Sequence, residues 1–197
     1  MIMFAGGSIF GDVLPSWGNY IQPLIGFVNW APVIPAYFLI GRYGRKSILT
    51  ICSFLIAFSL VGSGISYNIA KGNGTKEATD AAALASFICI ILYIIVFELS
   101  LGPLCWIYQT EIMTDKGLSI GVAINLILTV AASLLAPVLF QTFKGWNFIV
   151  CSGFSLLCAF FCLFMMKETK GLSEKEIAQL YSSVPLDADL LEQRDEE

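Results

Sequence analysis

Five stretches without a charged residue decide what this chain can fold into: Leu14 to Ile40, Ser47 to Ala70, Ala81 to Phe97, Gly117 to Val138 and Trp146 to Met166. Each comes near the ~20 residues a helix needs to cross hydrocarbon. In a 197-residue chain that is 57% hydrophobic and 13% charged, no soluble core is large enough to bury them all. The bilayer is therefore the solvent, and each stretch must satisfy its own backbone as a helix. A sixth stretch, Met1 to Val13, is shorter, carries Asp12 near its end and has no basic region before it. Neither a basic start nor a small-residue cleavage pattern marks it as a signal peptide, so it reads as the outer part of a helix whose first turns are missing. The fold class expected is an all-α membrane protein. Its membrane bundle covers residues 1–170, with spans at about 1–14, 18–40, 48–70, 81–108, 117–140 and 146–166, and a tail follows over 171–197.

Charge orients the bundle. Arg42, Arg45 and Lys46 share one side with Lys116, Lys167, Lys170 and Lys175, whereas the opposite loops hold Lys71, Lys76 and Lys144. The positive-inside rule makes the first side cytoplasmic and places the C-terminus there. The net charge of −4 comes mostly from the last residues, where Asp187, Asp189, Glu192, Asp195, Glu196 and Glu197 face Arg194. That end reads as a solvated acidic tail. Before it, LSEKEIAQLYSS places Leu172, Ile177 and Leu180 near one face, the pattern of a short amphipathic helix under the membrane domain. Asn73, Gly74 and Thr75 form a glycosylation sequon in an outer loop. A nucleic-acid partner is not expected, because no basic patch with interleaved aromatics occurs. The six cysteines lie in or beside apolar stretches without a CxxC pair or any histidine, so they read as packing residues, with no metal or cofactor expected. Enzymatic function is not expected either, since one mid-span carboxylate without histidine assembles neither a metal hydrolase nor an aspartyl protease.

The chemistry concentrates in FELSLGPLCWIYQTEI, Phe97 to Ile112, where Glu98 sits deep in an apolar helix. A carboxylate is costly there and is a functional candidate by default. Glu98, Gly102 and Trp106 recur every four residues, along one helical face, and Pro103 removes the bond to the Leu99 carbonyl. An acceptor, a flat indole and a Gly-Pro joint suit a site for a sugar, whose hydroxyls need hydrogen bonds and whose ring needs an aromatic surface. The same residues equally fit a packing glycine and a glutamate paired to a neighbouring span. The loop GRYGRK, Gly41 to Lys46, carries cations that can meet Glu111 at a nearby helix end. It reads either as a lock between helix ends or as a simple topogenic loop.

In order and spacing these segments resemble the sugar porter family of the major facilitator superfamily, which includes facilitative glucose transporters and sugar/proton symporters. GRYGRK is similar to the family's basic loop between helices eight and nine; Glu98, Gly102, Pro103, Trp106 and Glu111 resemble the helix-ten signature. KETKG, Lys167 to Gly171, resembles the motif that closes the last helix, and LSEKEI the start of the tail helix. The resemblance implies the six-helix C-terminal bundle of the fold, its first helix truncated, moving a hexose or related polyol by alternating access. It implies substrate contacts at Asn29, Glu98 and Trp106, a helix hinge at Gly102 and Pro103, and a cytoplasmic gate network of Arg42, Arg45, Lys46 and Glu111. It further implies that an N-terminal six-helix bundle is needed for transport, with the plasma membrane as the preferred location. The alternative is a non-transporting sugar sensor or interaction subunit, against which the short tail speaks. Several positions depart from the family: Phe4 and Ala5 replace its aromatic pair, Ile127 and Leu128 its helix-eleven Asn-Trp, and Lys167 the proline of its terminal motif.

Overall fold

The apolar stretches fold as helices, and where they bend, proline is close by. The computed structural model describes residues 18–72 and 76–181. Among these, α1 spans Gly18–Trp30 and α2 spans Val33–Arg42. Pro32 and Pro35 both lack an N–H, which leaves the Val28 and Ala31 carbonyls without their helical donors and breaks the stretch between the two helices. Then come α3, Arg45–Ala70; α4, Lys76–Leu99; and α5, Leu101–Ile112. The helix α6 covers Asp115–Phe143, α7 covers Trp146–Phe164 and α8 covers Glu174–Tyr181. Among the described residues, five helical stretches are long and apolar enough to cross a membrane: Pro23–Arg42, Arg45–Ala70, Ala78–Ile112, Asp115–Phe140 and Trp146–Phe164. No strand occurs among the described residues. The short stretch expected at 1–14, the sequon at Asn73 and the acidic end beyond 181 lie outside the described residues.

The central element is α3, which packs along both α4 and α7. Where a hydrophobic effect between helices is weak, small residues let backbones approach, and hydroxyls bond across the gap. The hydroxyls of Ser63 and Ser86 lie 3.0 Å apart, and Ser86 also donates to the Ser63 carbonyl at 3.1 Å. On the other face of α3, Ser152 of α7 donates to the Ala57 carbonyl at 3.0 Å. Gly64 is a close point of this contact: a Cβ there would lie 2.8 Å from Ile149 Cγ1 and 3.0 Å from the Gly145 carbonyl oxygen. Gly64→Val is expected to destabilise the bundle by about 2 kcal/mol, the usual cost of overpacking a filled contact. Gly153→Ala, where nothing lies within 4 Å, supplies the control, and thermal unfolding in detergent compares them.

In contrast, α6 stands largely clear of the other helices, with Ile127 and Leu128 68% and 62% exposed. Such a surface fits hydrocarbon or a further apolar helix, not water.

Candidate functional site

Two helix ends meet inside the apolar layer. Asn29 is in the last turn of α1 and Glu98 in the last turn of α4, and the Asn29 amide Nδ2 donates to Glu98 Oε1 at 2.7 Å. Both side chains are half-buried. The carboxylate folds back over Gly102, where a Cβ would lie 3.1 Å from Oε2. Glycine at that position therefore leaves room for the acid.

The bend falls at Ser100, with φ −134° and ψ −84°. Pro103 explains its position: the missing N–H leaves Leu99 without the donor that would continue α4, and the proline ring crowds that same carbonyl. Ser100 closes the gap with its own groups, its hydroxyl donating to the Val96 carbonyl at 2.7 Å and its N–H to the Phe97 carbonyl at 3.2 Å. Gly102 and Pro103 thus lie in the first turn after the break. Across the break Glu98 still lies against Gly102, and Gly102 and Trp106 stand four residues apart on the continuous helix α5. Trp106, one turn or about 6 Å further along α5 than Gly102, has no ring or hydrogen-bond partner among the described residues and is 43% exposed. The structure joins Asn29, Glu98 and Gly102; it leaves Trp106 as a free aromatic surface on the next turn.

At the opposite, charged end, Arg45 Nη2 lies 3.1 Å from Glu111 Oε1, and Thr169 Oγ1 donates to Glu111 Oε2 at 2.6 Å. A second carboxylate completes the cluster. Glu168 accepts the backbone N–H groups of Arg45 at 2.7 Å and Lys46 at 3.2 Å, and so caps the N-terminus of α3. Unpaired N–H groups and the helix dipole both favour an anion there. Gly44 makes the approach feasible, since a Cβ at that position would overlap the Glu168 carboxylate. Arg42 and Lys46 enter this network through their backbones: the Arg42 carbonyl accepts Lys170 Nζ at 2.7 Å, and the Lys46 N–H meets Glu168. A cleft of about 730 Å³ opens beside the cluster, lined by Arg45, Glu111, Thr169, Tyr181 and their neighbours. Glu168, Thr169 and Lys170 stood out in the sequence only as part of the KETKG motif, with Lys170 among the cations of that side, and were not assigned to this network, although an acid just past the last apolar stretch, on the same side as GRYGRK, is a usable signal.

The tail helix α8 is seated against this end. Ser173 and Glu176 form a capping box, the Ser173 N–H and hydroxyl donating to Glu176 Oε2 at 2.7 and 2.8 Å. Those two donors hold the Glu176 carboxyl below its ordinary range. Its contribution to the helix start is therefore present at neutral pH and fades as acid protonates it. Ile177 is buried beneath the helix. At its other end, Lys167 Nζ donates to the Leu180 carbonyl at 2.5 Å and lies 5.4 Å from the centre of the Tyr181 ring. The Tyr108 hydroxyl of α5 donates to the Lys167 carbonyl at 2.9 Å and also meets the Tyr181 hydroxyl. A cation at a helix C-terminus is favourable, and the proline that the resemblance leads one to expect at position 167 lacks the ammonium that makes both contacts.

Comparisons with known proteins agree on one family. Residues 1–181 match the family described as Sugar (and other) transporter. The chain is 29% identical over 165 residues to "Probable polyol transporter 6" of Arabidopsis thaliana, covering 80% of this chain and 32% of that protein. It is 31% identical over 199 residues to the major facilitator-type transporter ecdD of Aspergillus rugulosus, covering 93% and 36%. Among solved structures, the inward-open xylose transporter XylE of E. coli superposes with a TM-score of 0.71 at 21% identity, over 92% of this chain and 42% of that one. The chain thus spans about a third of the length of the curated relatives it matches.

Proposed function

The chain belongs to the family of sugar (and other) transporters, and on that premise we propose that it forms the C-terminal bundle of a transporter for a hexose or related polyol. It is a multi-pass membrane protein, and its family and relatives are transporters rather than enzymes. The observation that carries the substrate reading is the Asn29–Glu98 hydrogen bond at 2.7 Å, inside the apolar layer and beside the Ser100 break. A carboxylate and an amide there offer the acceptors and donor that sugar hydroxyls need, and Trp106 offers an open indole face on the adjacent turn. The named substrates of the relatives, a polyol and xylose, have that same polyhydroxylated chemistry.

Transport by alternating access takes two bundles that rock around a central site, so this bundle works with an N-terminal six-helix partner. Residues 1–170 form the membrane bundle and 171–197 the tail. The basic loops support a cytoplasmic side for the Arg45–Glu111 cluster and the C-terminus, and the plasma membrane is the proposed location. There the cluster closes the inner side by holding the ends of α3 and α5 to residues 168 and 169, and releases them when the site opens inward.

The experiment is uptake of a radiolabelled hexose by cells expressing this bundle joined to an N-terminal bundle. Trp106→Ala is expected to raise KM roughly fivefold, in line with about 1 kcal/mol for lost stacking on an aromatic face. Unchanged affinity and rate would reject Trp106 as part of the site.

A further inference from the structure

We propose that the chain carries a second ligand site, between α5 and α7 on the Tyr108 side of the Ser100 break, for a single-chain amphiphile with one hydroxyl head taken from the bilayer. A cavity of about 280 Å³ lies there, away from Asn29 and Glu98, with Leu101, Cys105, Gln109, Cys158, Cys162 and Met165 among the residues of its wall. Thiols and thioethers give an apolar, polarisable surface that adapts to a flexible chain better than branched side chains do.

Besides the bonded hydroxyls of Tyr108 and Tyr181, that wall holds the side-chain amide of Gln109. Its side-chain amide makes no hydrogen bond among the described residues, and its Oε1 is buried without a donor. A buried acceptor left unpaired is destabilising, and a hydroxyl donating to it relieves that penalty. Water is a poor occupant, because it needs two to four polar partners, and the wall's Tyr108 and Tyr181 hydroxyls are already bonded to each other and to the Lys167 backbone. An apolar cavity of roughly half this size holds one benzene, so about 280 Å³ accommodates a chain of roughly eight carbons with its hydroxyl. Entry comes from the lipid side, since the wall residues Phe161, on the span Trp146–Phe164, and Met165, just past its end, are 54% and 66% exposed. An occupant touches α5 and α7 together and ties the segment bearing Trp106 and Glu111 to its neighbour.

The test uses a photoactivatable diazirine derivative of octanol on the protein in lipid nanodiscs, with adducts mapped by mass spectrometry. Saturable labelling is expected within 101–113 and 158–165, displaced by plain octanol and several-fold less well by octane. Gln109→Leu is expected to lower this labelling roughly tenfold, the loss of one hydrogen bond to a buried acceptor. Cys105→Phe, which fills the cavity, is expected to abolish it. In both variants the lipid-facing residues Ile127 and Leu128 should still be labelled without saturation, which shows that the bundle is inserted. The proposal is overturned if 101–113 labels no differently from Ile127 and Leu128, or if Gln109→Leu leaves labelling unchanged. The first result would mean that the cavity closes, for example by α6 moving onto Gln109, whose Oε1 already lies 3.8 Å from where a Gly121 Cβ would stand.

Discussion

Hexose uptake is expected to fall roughly 10- to 100-fold when Glu98 is replaced by Leu, because a hydrogen bond to a charged group contributes about 1.5–3 kcal/mol. Glu98 is placed to make such a bond. Its Oε1 is held by Asn29 at 2.7 Å, which fixes the carboxylate and leaves Oε2 over the open backbone at Gly102. A sugar hydroxyl arriving at that oxygen meets an acceptor already oriented, so little side-chain entropy is lost on binding. Glu98→Gln keeps the shape and the acceptor for Asn29 but loses the charge, and should recover part of the uptake. Asn29→Leu should weaken uptake less than Glu98→Leu, and the double variant should lose less than the two single losses combined, since Asn29 positions the acid as well as offering its own amide. Transport at wild-type KM and rate by Glu98→Leu, in protein with an unchanged melting temperature, would make the pair interhelical packing and remove it from the substrate site.

How much of this was legible in the sequence depends on whether a feature is local. The apolar runs that became α3, α6 and α7 are uninterrupted, so their length alone identified them as spans. The two broken spans were read as one helix each, because hydropathy records how long a segment stays apolar and not its direction. Pro32, Pro35 and Pro103 were the visible signs. A proline in an apolar run reports that a carbonyl one turn earlier has lost its donor, but the neighbouring geometry decides where the bend falls, here Ser100, three residues before Pro103. Glu98 stood out because charge in an apolar run is costly, and Asn29 was singled out through the family resemblance. Their hydrogen bond joins residues 69 apart in the chain, a distance that no local pattern encodes. At the charged end the cations of GRYGRK were legible, yet Glu168 was not assigned to them. Its role depends on Gly44 admitting a carboxylate against two N–H groups, a matter of shape rather than composition. Lys167 was visible only as a departure from the family pattern; its contacts with Leu180 and Tyr181 give that departure a physical content.

Charge reversal at the inner cluster has the other large effect: Glu111→Lys is expected to destabilise the bundle by about 3 kcal/mol. The Arg45–Glu111 pair is about four-fifths buried on each side, with side-chain exposures of 20% and 21%, so its charges are only partly screened. Reversal sets an ammonium at position 111 against Arg45 and also removes the acceptor of Thr169, a buried residue whose hydroxyl bonds Glu111 at 2.6 Å. Restoring opposite charges with Arg45→Glu on top of Glu111→Lys should recover part of the loss but not all of it. The carboxylate introduced at position 45 would stand beside Glu168, which caps the same helix start through the N–H groups of residues 45 and 46, and the two acids repel. The four melting curves, taken at low and high salt, give the coupling directly. Partial rescue that weakens with salt identifies the pair as an electrostatic tie between α3 and α5. Additivity within about 0.5 kcal/mol would mean that the pair contributes no coupling, and the hold on α3 would then rest on Glu168 alone. In uptake assays the same tie predicts a direction: with α3 and α5 released from each other, the inward-open state gains population, and hexose efflux should be impaired less than entry at equal protein level.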